Sequence, residues 1–485
     1  MAEGKNIQRV LVANRGEIAL RVIRTIRELG LGAVAVYENP DKEALFIRFA
    51  DDAIMIGDGP RKDYLDIDRI IWAAHKSGAD AIHPGYGFLA ENPDFPSACA
   101  DAGITFIGPP SSVIHDLGNK IVARRIMKEA GIPIVPGTGN LASGEEGERA
   151  GLAFGEEYGY PLMLKASSGG GGRGIRKVED ASDLLVQIPL ARSEALHAFN
   201  DENIYIEKCI ENPRHIEIQI LADQHGKIIH LGSRDCSIQR KHQKLIEIAP
   251  ADLPVDVLSS MCETSIVAAR EAGYISAGTV EFLVDPITNQ FWFMEINTRL
   301  QVEHTVTEML TGVDIVREQI MIAQGAHLEI PEVRFHLLGK AIQVRVNAED
   351  PRNDFMPEGG KRVEVYQSPG GPGIRLDGIA YQGYKIPTEY DSLLVKMTVR
   401  GHNWEQAVQR LKRALNDFLI VGPKTTIPFY LAICDEPDFR RGELNTSYLE
   451  THTQVFDYPD NKREIAKLSQ LIAEIHAKKI NPYAY

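Results

Sequence analysis

Residues 295–303 read E-I-N-T-R-L-Q-V-E, two sequences interleaved at a period of two. Successive side chains of an extended chain point to opposite faces. Ile296, Thr298, Leu300 and Val302 would then pack on one side, and Glu295, Asn297, Arg299, Gln301 and Glu303 would share the other. A half-buried strand with a solvated polar face is the commoner use of such a pattern. Here the polar set mixes carboxylates, a guanidinium and amides with no Lys, Ser or Thr, and a second acidic strand lies just upstream. That strand is T-V-E-F-L-V at 279–284; D-P-I-T-N-Q at 285–290 has turn composition, and F-W-F-M-E returns at 291–295. The order predicts an antiparallel hairpin with Glu281 opposite Glu295. Facing like charges destabilise a sheet pair unless a cation lies between them. Two carboxylates on rigid strands, with Asn297 as a further oxygen ligand, suit Mg²⁺, which leaves part of its shell to water and phosphate.

A chain of 485 residues exceeds what one core usually covers, so two to four domains are expected. No run of 18 apolar residues occurs, which argues against a membrane span, and the first residues lack the apolar core of a signal peptide. A net charge of −14 disfavours nucleic acid as a partner. The five cysteines are scattered and form no C-x-x-C, which fits a reduced, cytoplasmic setting without a zinc site.

From the N-terminus, 8–13 reads as a buried strand, 16–29 as a helix ending at Gly30, and 32–37 as the next strand. Helices near 67–77 and 95–102 alternate with strands at 81–82 and 105–107. Residues 1 to about 115 thus form an open parallel α/β domain with right-handed crossovers. The first turn, A-N-R-G-E at 13–17, is not a dinucleotide fingerprint. H-P-G-Y-G-F at 83–88 follows a strand, as a cleft-lining loop or a mere turn. At 169–174 five glycines fall in six positions, between a strand carrying Lys165 and the strand-like I-R-K-V at 175–178. Ordering that many glycines is entropically costly. A flap over phosphates is therefore favoured over a surface turn, with Lys165 as a point charge on the phosphate. Residues 204–208 and 215–220 read as strands, the second with His215, Glu217 and Gln219 on one face; 237–244 is dense in hydrogen-bond donors.

Together these segments resemble biotin carboxylase, the ATP-grasp component of biotin-dependent carboxylases. The resemblance rests on A-N-R-G-E-I-A (13–19), H-P-G-Y-G-F-L-A-E-N (83–92), G-G-G-G-R-G (169–174), E-N-P-R-H-I-E-I-Q (211–219), Q-R-K-H-Q-K (239–244), E-I-N-T-R-L-Q-V-E-H (295–304) and R-V-N-A-E-D-P (345–351). It implies an α/β and α+β architecture: an N-terminal α/β domain over 1–118, an ATP-grasp domain over 119–335 with a mobile glycine-rich lid near 136–207, and an α+β C-terminal domain over 336–450. Residues 451–485 would follow as a helical tail. By matched position it implies ATP contacts from Lys120, Lys165, Gly171, Gly172, Glu207, Lys208, Ile210, His215, Gln239, His242, Glu281, Leu283 and Glu295. Glu281, Glu295 and Asn297 would hold Mg²⁺ or Mn²⁺. Lys244, Arg299, Gln301, Val302, Glu303 and Arg345 would bind bicarbonate, with Glu303 as general base, and Tyr86 and Arg345 would meet biotin. Lys244, Arg299, Glu303 and Arg345 form the implied catalytic set. The chain departs from the family pattern at Ile248, at Gln343-Val344 and at Asn200-Asp201-Glu202, which affects supporting bonds only.

The implied reaction is ATP-dependent carboxylation of biotin by bicarbonate through carboxyphosphate. No A-M-K-M attachment motif is present; V-K-M at 395–397 is a partial echo. Biotin is therefore expected on a separate carrier protein, with a separate carboxyltransferase choosing the final acceptor and a homodimer as the family's usual state. Two rivals are a different ATP-grasp ligase, where Arg345 and the 83–88 loop would have no role, and a non-catalytic, regulatory nucleotide-binding protein, where intact Glu281, Glu295, Glu303 and Lys244 would be unexplained.

Overall fold

The computed structural model describes residues 6–60, 62–168, 174–241, 243–330 and 339–459. The N-terminal domain is a five-stranded parallel sheet with Arg9–Val12 at its centre, flanked by Gly32–Glu38 and Ala81–His83; Asp52–Gly57 and Thr105–Phe106 are the edges. Covered on both faces, its central strands read as continuous apolar runs, and Val10, Leu11, Val12, Val34 and Ile82 are fully buried. Helix Gly16–Glu28 buries Ile18, Ala19, Val22, Ile23 and Ile26 at helical spacing. Gly30, at φ +73, turns the chain out of it. Strand order reverses between Arg9–Val12 and Ala81–His83, so the loops after these two strands flank a crevice at their carboxyl ends. Those loops carry the A-N-R-G-E turn and Tyr86.

An eight-stranded antiparallel sheet runs through the rest of the molecule. Its order is Phe291–Asn297, Ser276–Val284, Arg214–Ala222, Ile228–Arg240, Gln243–Ala249, Lys340–Asn347, Leu393–Gly401, Ile374–Gly378. One set of ladder hydrogen bonds therefore crosses from the ATP-grasp body into the C-terminal domain, where Gln243–Ala249 pairs with Lys340–Asn347. A separate three-stranded sheet, Ile175–Val178, Leu162–Ala166 and Ile204–Lys208, packs with helices Glu145–Tyr158 and Ala181–Phe199 around its own core of Leu162, Leu164, Leu184, Ile188 and Ile206. This small body occupies the stretch expected as the lid. The glycine run at 169–173 lies outside the described residues, as do His242 and most of the tail, 460–485, including the expected helix near 465–475.

One expectation is corrected. The strand ends at Asn297, and 298–303 turns away from the sheet before helix His304–Thr311 begins. Leu300 is carried into the core of the N-terminal domain, while Gln301 and Glu303 are buried among polar partners. The polar set of the segment lines an interior, not a solvated face. Among the described residues no helix is long and apolar enough to cross a membrane.

Candidate active site

The centre of the molecule is a buried lattice of charges built across five adjacent strands, from Ser276–Val284 to Lys340–Asn347. In the hairpin, Glu281 pairs in register with Glu295 and also with Glu217 on the neighbouring strand. Three carboxylates in adjacent register positions demand cations. Lys244 supplies one. Its Nζ donates to Glu217 at 2.6 Å, Glu281 at 2.8 Å and Glu303 at 2.7 Å. Burial alone would lower the Lys244 ammonium, but these three carboxylates hold it well above the usual lysine range. Arg234, with no exposed surface, pairs with Glu217 and donates to Gln219 Oε1 at 2.8 Å, Thr307 at 2.9 Å and Thr279 at 3.0 Å. A buried charge is tolerated only when it is paired and hydrogen-bonded, and every nitrogen of this guanidinium has a partner.

Glu303 precedes helix His304–Thr311 and is fully buried. Its second oxygen accepts from Arg345 Nη2 at 3.2 Å. Burial and Glu217 push its carboxyl up; Lys244, Arg345 and Arg234 pull it down, and the cations prevail. Arg345 comes from the C-terminal strand Lys340–Asn347 and donates through Nε to Glu247 at 2.7 Å. Glu247 is pushed the other way, above the ordinary glutamate range, because burial and Glu303 outweigh Arg345. Gln343 Nε2 donates to the second oxygen of Glu247 at 2.9 Å, and Gln343 Oε1 accepts from the Thr305 hydroxyl. The departure at Gln343 thus has a place, as a neutral donor to a buried carboxylate.

Arg299 sits at the mouth of the lattice, with Nε 2.9 Å from Glu91. Its Nη1 lies 3.1 Å from Gln301 Oε1 and its Nη2 3.3 Å from Asn297 Oδ1. Asn297 Nδ2 donates to Glu281 at 2.8 Å. His215 Nε2 bonds Glu281 at 2.8 Å, and Gln239 Nε2 lies 2.7 Å from its Nδ1. Leu283 is the register partner of His215, half-buried on the same strand pair. Toward the lid, Lys165 Nζ reaches Glu207 at 2.5 Å while Arg124 takes the other Glu207 oxygen. Lys120 Nζ, at the start of helix Lys120–Glu129, lies 3.5 Å from Glu295. Lys208 points away, to the Gly159 and Tyr160 carbonyls at 3.2 and 3.3 Å, and Ile210 is half-buried beyond the strand end. Gly171, Gly172 and His242 lie outside the described residues.

The donor set fits a hard divalent ion: Glu281 and Glu295 face each other in register, and Asn297 adds an amide oxygen. Glu281 already has its oxygens on Lys244, Asn297 and His215, so an ion there takes over bonds rather than filling an empty cage. Sequence reading assigned no part to Glu217, Arg234, Glu247, Glu91 or Arg124. The available signal was a charge set inside an apolar strand, as in I-E-I at 216–218 and again at 246–248.

Three family models match. One described as biotin carboxylase, N-terminal domain covers 6–114; one described as carbamoyl-phosphate synthase L chain, ATP binding domain covers 119–331; one described as biotin carboxylase C-terminal domain covers 343–451. The chain is 48% identical to biotin carboxylase 1 of Bacillus subtilis, over 92% of this chain and 99% of that one. It is 48% identical to the 2-oxoglutarate carboxylase small subunit of Hydrogenobacter thermophilus, over 97% and 99%. Among solved structures, the biotin carboxylase domain dimer of Hydrogenobacter thermophilus 2-oxoglutarate carboxylase, in complex with MgADP, ADP and bicarbonate, superposes with a TM-score of 0.90 at 48% identity, over 94% of this chain and all of that one.

Proposed function

The chain belongs to the biotin carboxylase family, and we propose that its buried charge lattice carries out the ATP-dependent carboxylation of biotin by bicarbonate, through carboxyphosphate. The observation that carries this reading is the convergence of Lys244 and Arg345 on Glu303. It joins a carboxylate fit to act as general base and two anion-binding cations, one of them an arginine from the C-terminal domain, at one point beside the acidic hairpin.

Bicarbonate is a weak nucleophile. Lys244, Arg299, Gln301, the Val302 backbone and Arg345 would hold it in line with the γ-phosphorus, and positioning of this kind can supply about 7–11 kcal/mol of a barrier. Lys120, Lys165 and His215, with the strand residues around them, would hold ATP. Glu303 would take the bicarbonate proton as a bicarbonate oxygen attacks and the β,γ bridge bond breaks, releasing ADP. Before substrate binds, Glu303 is a poor base, because Lys244 and Arg345 both pull its carboxyl down. Bicarbonate competes for those same cations. A carboxylate relieved of them, still buried and still beside Glu217, rises toward the range a base needs. Carboxyphosphate then splits at its C–O bond to CO₂ and phosphate. The phosphate removes the biotin ureido proton, the nitrogen attacks CO₂, and Arg345 stabilises the negative charge on the ureido oxygen with Tyr86 alongside. Glu281, Glu295 and Asn297 would hold Mg²⁺ or Mn²⁺, which when bound neutralises charge on the transferring phosphoryl group.

Biotin would come on a carrier protein: the one partial echo of an attachment motif, Lys396, has no exposed surface. A separate carboxyltransferase, a homodimer of this chain and a cytoplasmic setting complete the reading. The relative named as a small subunit supports the first, and the dimeric relative supports the second. Purified protein should release ADP only with bicarbonate present, and faster with free biotin. ADP release indifferent to bicarbonate overturns the reading.

A further inference from the structure

Two sequence features without a part in the reaction meet behind Tyr86: the A-N-R-G-E turn at 13–17 and the V-K-M triplet at 395–397. Asn14 Nδ2 donates to the carbonyls of Pro84 and Tyr86, both at 2.7 Å. The approach is so close that a Cβ on Gly85, itself at φ +65, would meet Asn14 Nδ2 at 2.8 Å. The Tyr86 hydroxyl donates to one oxygen of Glu17, in the first turn of helix Gly16–Glu28. The other Glu17 oxygen lies 3.1 Å from Lys396 Nζ. Lys396 is fully buried on strand Leu393–Gly401, as the register partner of Arg345. Its Nζ also donates to the Val302 carbonyl at 2.9 Å and lies 5.7 Å from the Tyr86 ring centroid.

One ammonium thus ties together the N-terminal helix, the turn before Glu303 and the C-terminal sheet, with Tyr86 bound to its carboxylate partner. An ammonium with no access to water cannot exchange these acceptors for solvent. Losing either leaves a buried polar group unpaired. The arrangement is therefore stiff, and it ends on both substrate sides of the lattice.

We propose that Lys396 and Glu17 are positioning residues for carboxyl transfer: Glu17 sets the Tyr86 ring beside Arg345, and Lys396 fixes both Glu17 and the Val302 carbonyl next to Glu303. The proposal rests on the assignment of Tyr86 and Arg345 to biotin and of Val302 and Glu303 to bicarbonate. It makes Glu17 a determinant of biotin engagement alone and Lys396 a determinant of biotin and bicarbonate together.

The test compares full-length wild type, Glu17→Gln and Lys396→Met by ADP release, varying ATP, bicarbonate and free biotin in turn, with thermal unfolding alongside. Glu17→Gln should raise the KM for biotin about tenfold while the KM values for bicarbonate and ATP stay within about twofold. Lys396→Met should raise the KM for both biotin and bicarbonate and leave that for ATP unchanged. A fall in Tm with all three KM values unchanged, or an equal loss on all three, marks a purely structural role and overturns the proposal. Should Lys396→Met fail to fold, the Glu17→Gln split decides alone. A wild type whose ADP release ignores biotin overturns the assignment of Tyr86, and the proposal with it; an active wild type with an unshifted Glu17→Gln overturns the proposal only.

Discussion

Glu303 meets Lys244 and Arg345 through its two oxygens, and each contact keeps it ionised. In the proposed base role it would accept a proton only once a substrate anion draws those cations away. Replacing it by Gln keeps the shape and removes the proton acceptor. Glu303→Gln should lower bicarbonate-dependent ADP release by about 10²–10⁴-fold, the usual range for a positioned general base. The KM for ATP should stay within about threefold, since Lys165, Glu207 and Lys120 are untouched. Steady-state kinetics read both; a variant that retains most of its turnover would remove Glu303 from the base role. Its neighbour Glu247 shows why residue type alone is a poor guide. Both glutamates are buried on Arg345, yet one is pushed down and the other up, because of the two only Glu303 also receives a bond from Lys244.

At the scale of elements, the lid matters most. Its strand Ile204–Lys208 brings Glu207 to Lys165 and Arg124, and it meets the incoming chain at Gly137, which bridges Glu207. A Cβ at Gly137 would stand 2.7 Å from the Ile206 carbonyl oxygen and 2.8 Å from Arg124 Nη2. Gly137→Ala should therefore displace the Glu207 strand and raise the KM for ATP about five- to tenfold, with little change in turnover at saturating ATP. A KM within about twofold of wild type would show that the Glu207 strand does not set nucleotide affinity. Much of this level was readable in one dimension. The alternation at 279–284 and 291–297 shows the hairpin and its facing Glu281 and Glu295, though the structure reaches that pairing through a bulge between Glu281 and Phe282, and apolar spacing over 16–29 marks the first helix. The break after Asn297 was not readable, because Thr298 and Leu300 go on being buried after the chain leaves the sheet, so the pattern continues through the turn. Glu217, Glu247 and Arg234 were missed for a related reason. A polar residue alternating within an apolar strand looks the same whether that face meets water or another buried charge. Lys396 and Glu17, 379 positions apart by number, meet only in the folded molecule.

At the scale of the whole molecule, one antiparallel sheet carries the Glu281–Glu295 hairpin at one end and the Arg345 strand nearer the other, so the residues proposed for the nucleotide and those proposed for biotin share one hydrogen-bonded frame. The buried charges of that frame set its pH dependence. The Glu217, Glu281 and Glu303 carboxyls are lower in the folded state than in the unfolded chain, where a free glutamate titrates near about 4.3. Their contribution is complete above that value and is lost as pH falls through the lowered folded values. Glu17 and Glu247 are raised and act in reverse, gaining stability as pH falls toward about 4.3. The sum predicts a stability held from neutral pH to about pH 5 and a steep loss below about pH 4, followed by thermal unfolding across that window. A loss largely complete by about pH 5 would mean that the three lowered carboxylates do not dominate. The central claim, that bicarbonate itself attacks ATP in this lattice, is tested most directly by oxygen transfer. With ¹⁸O-labelled bicarbonate, ATP, Mg²⁺ and free biotin, the phosphate released should carry one labelled oxygen, the former bridge of carboxyphosphate. Phosphate without the label, its fourth oxygen taken from solvent instead, would mean that water is the nucleophile, and the account of the site would fail.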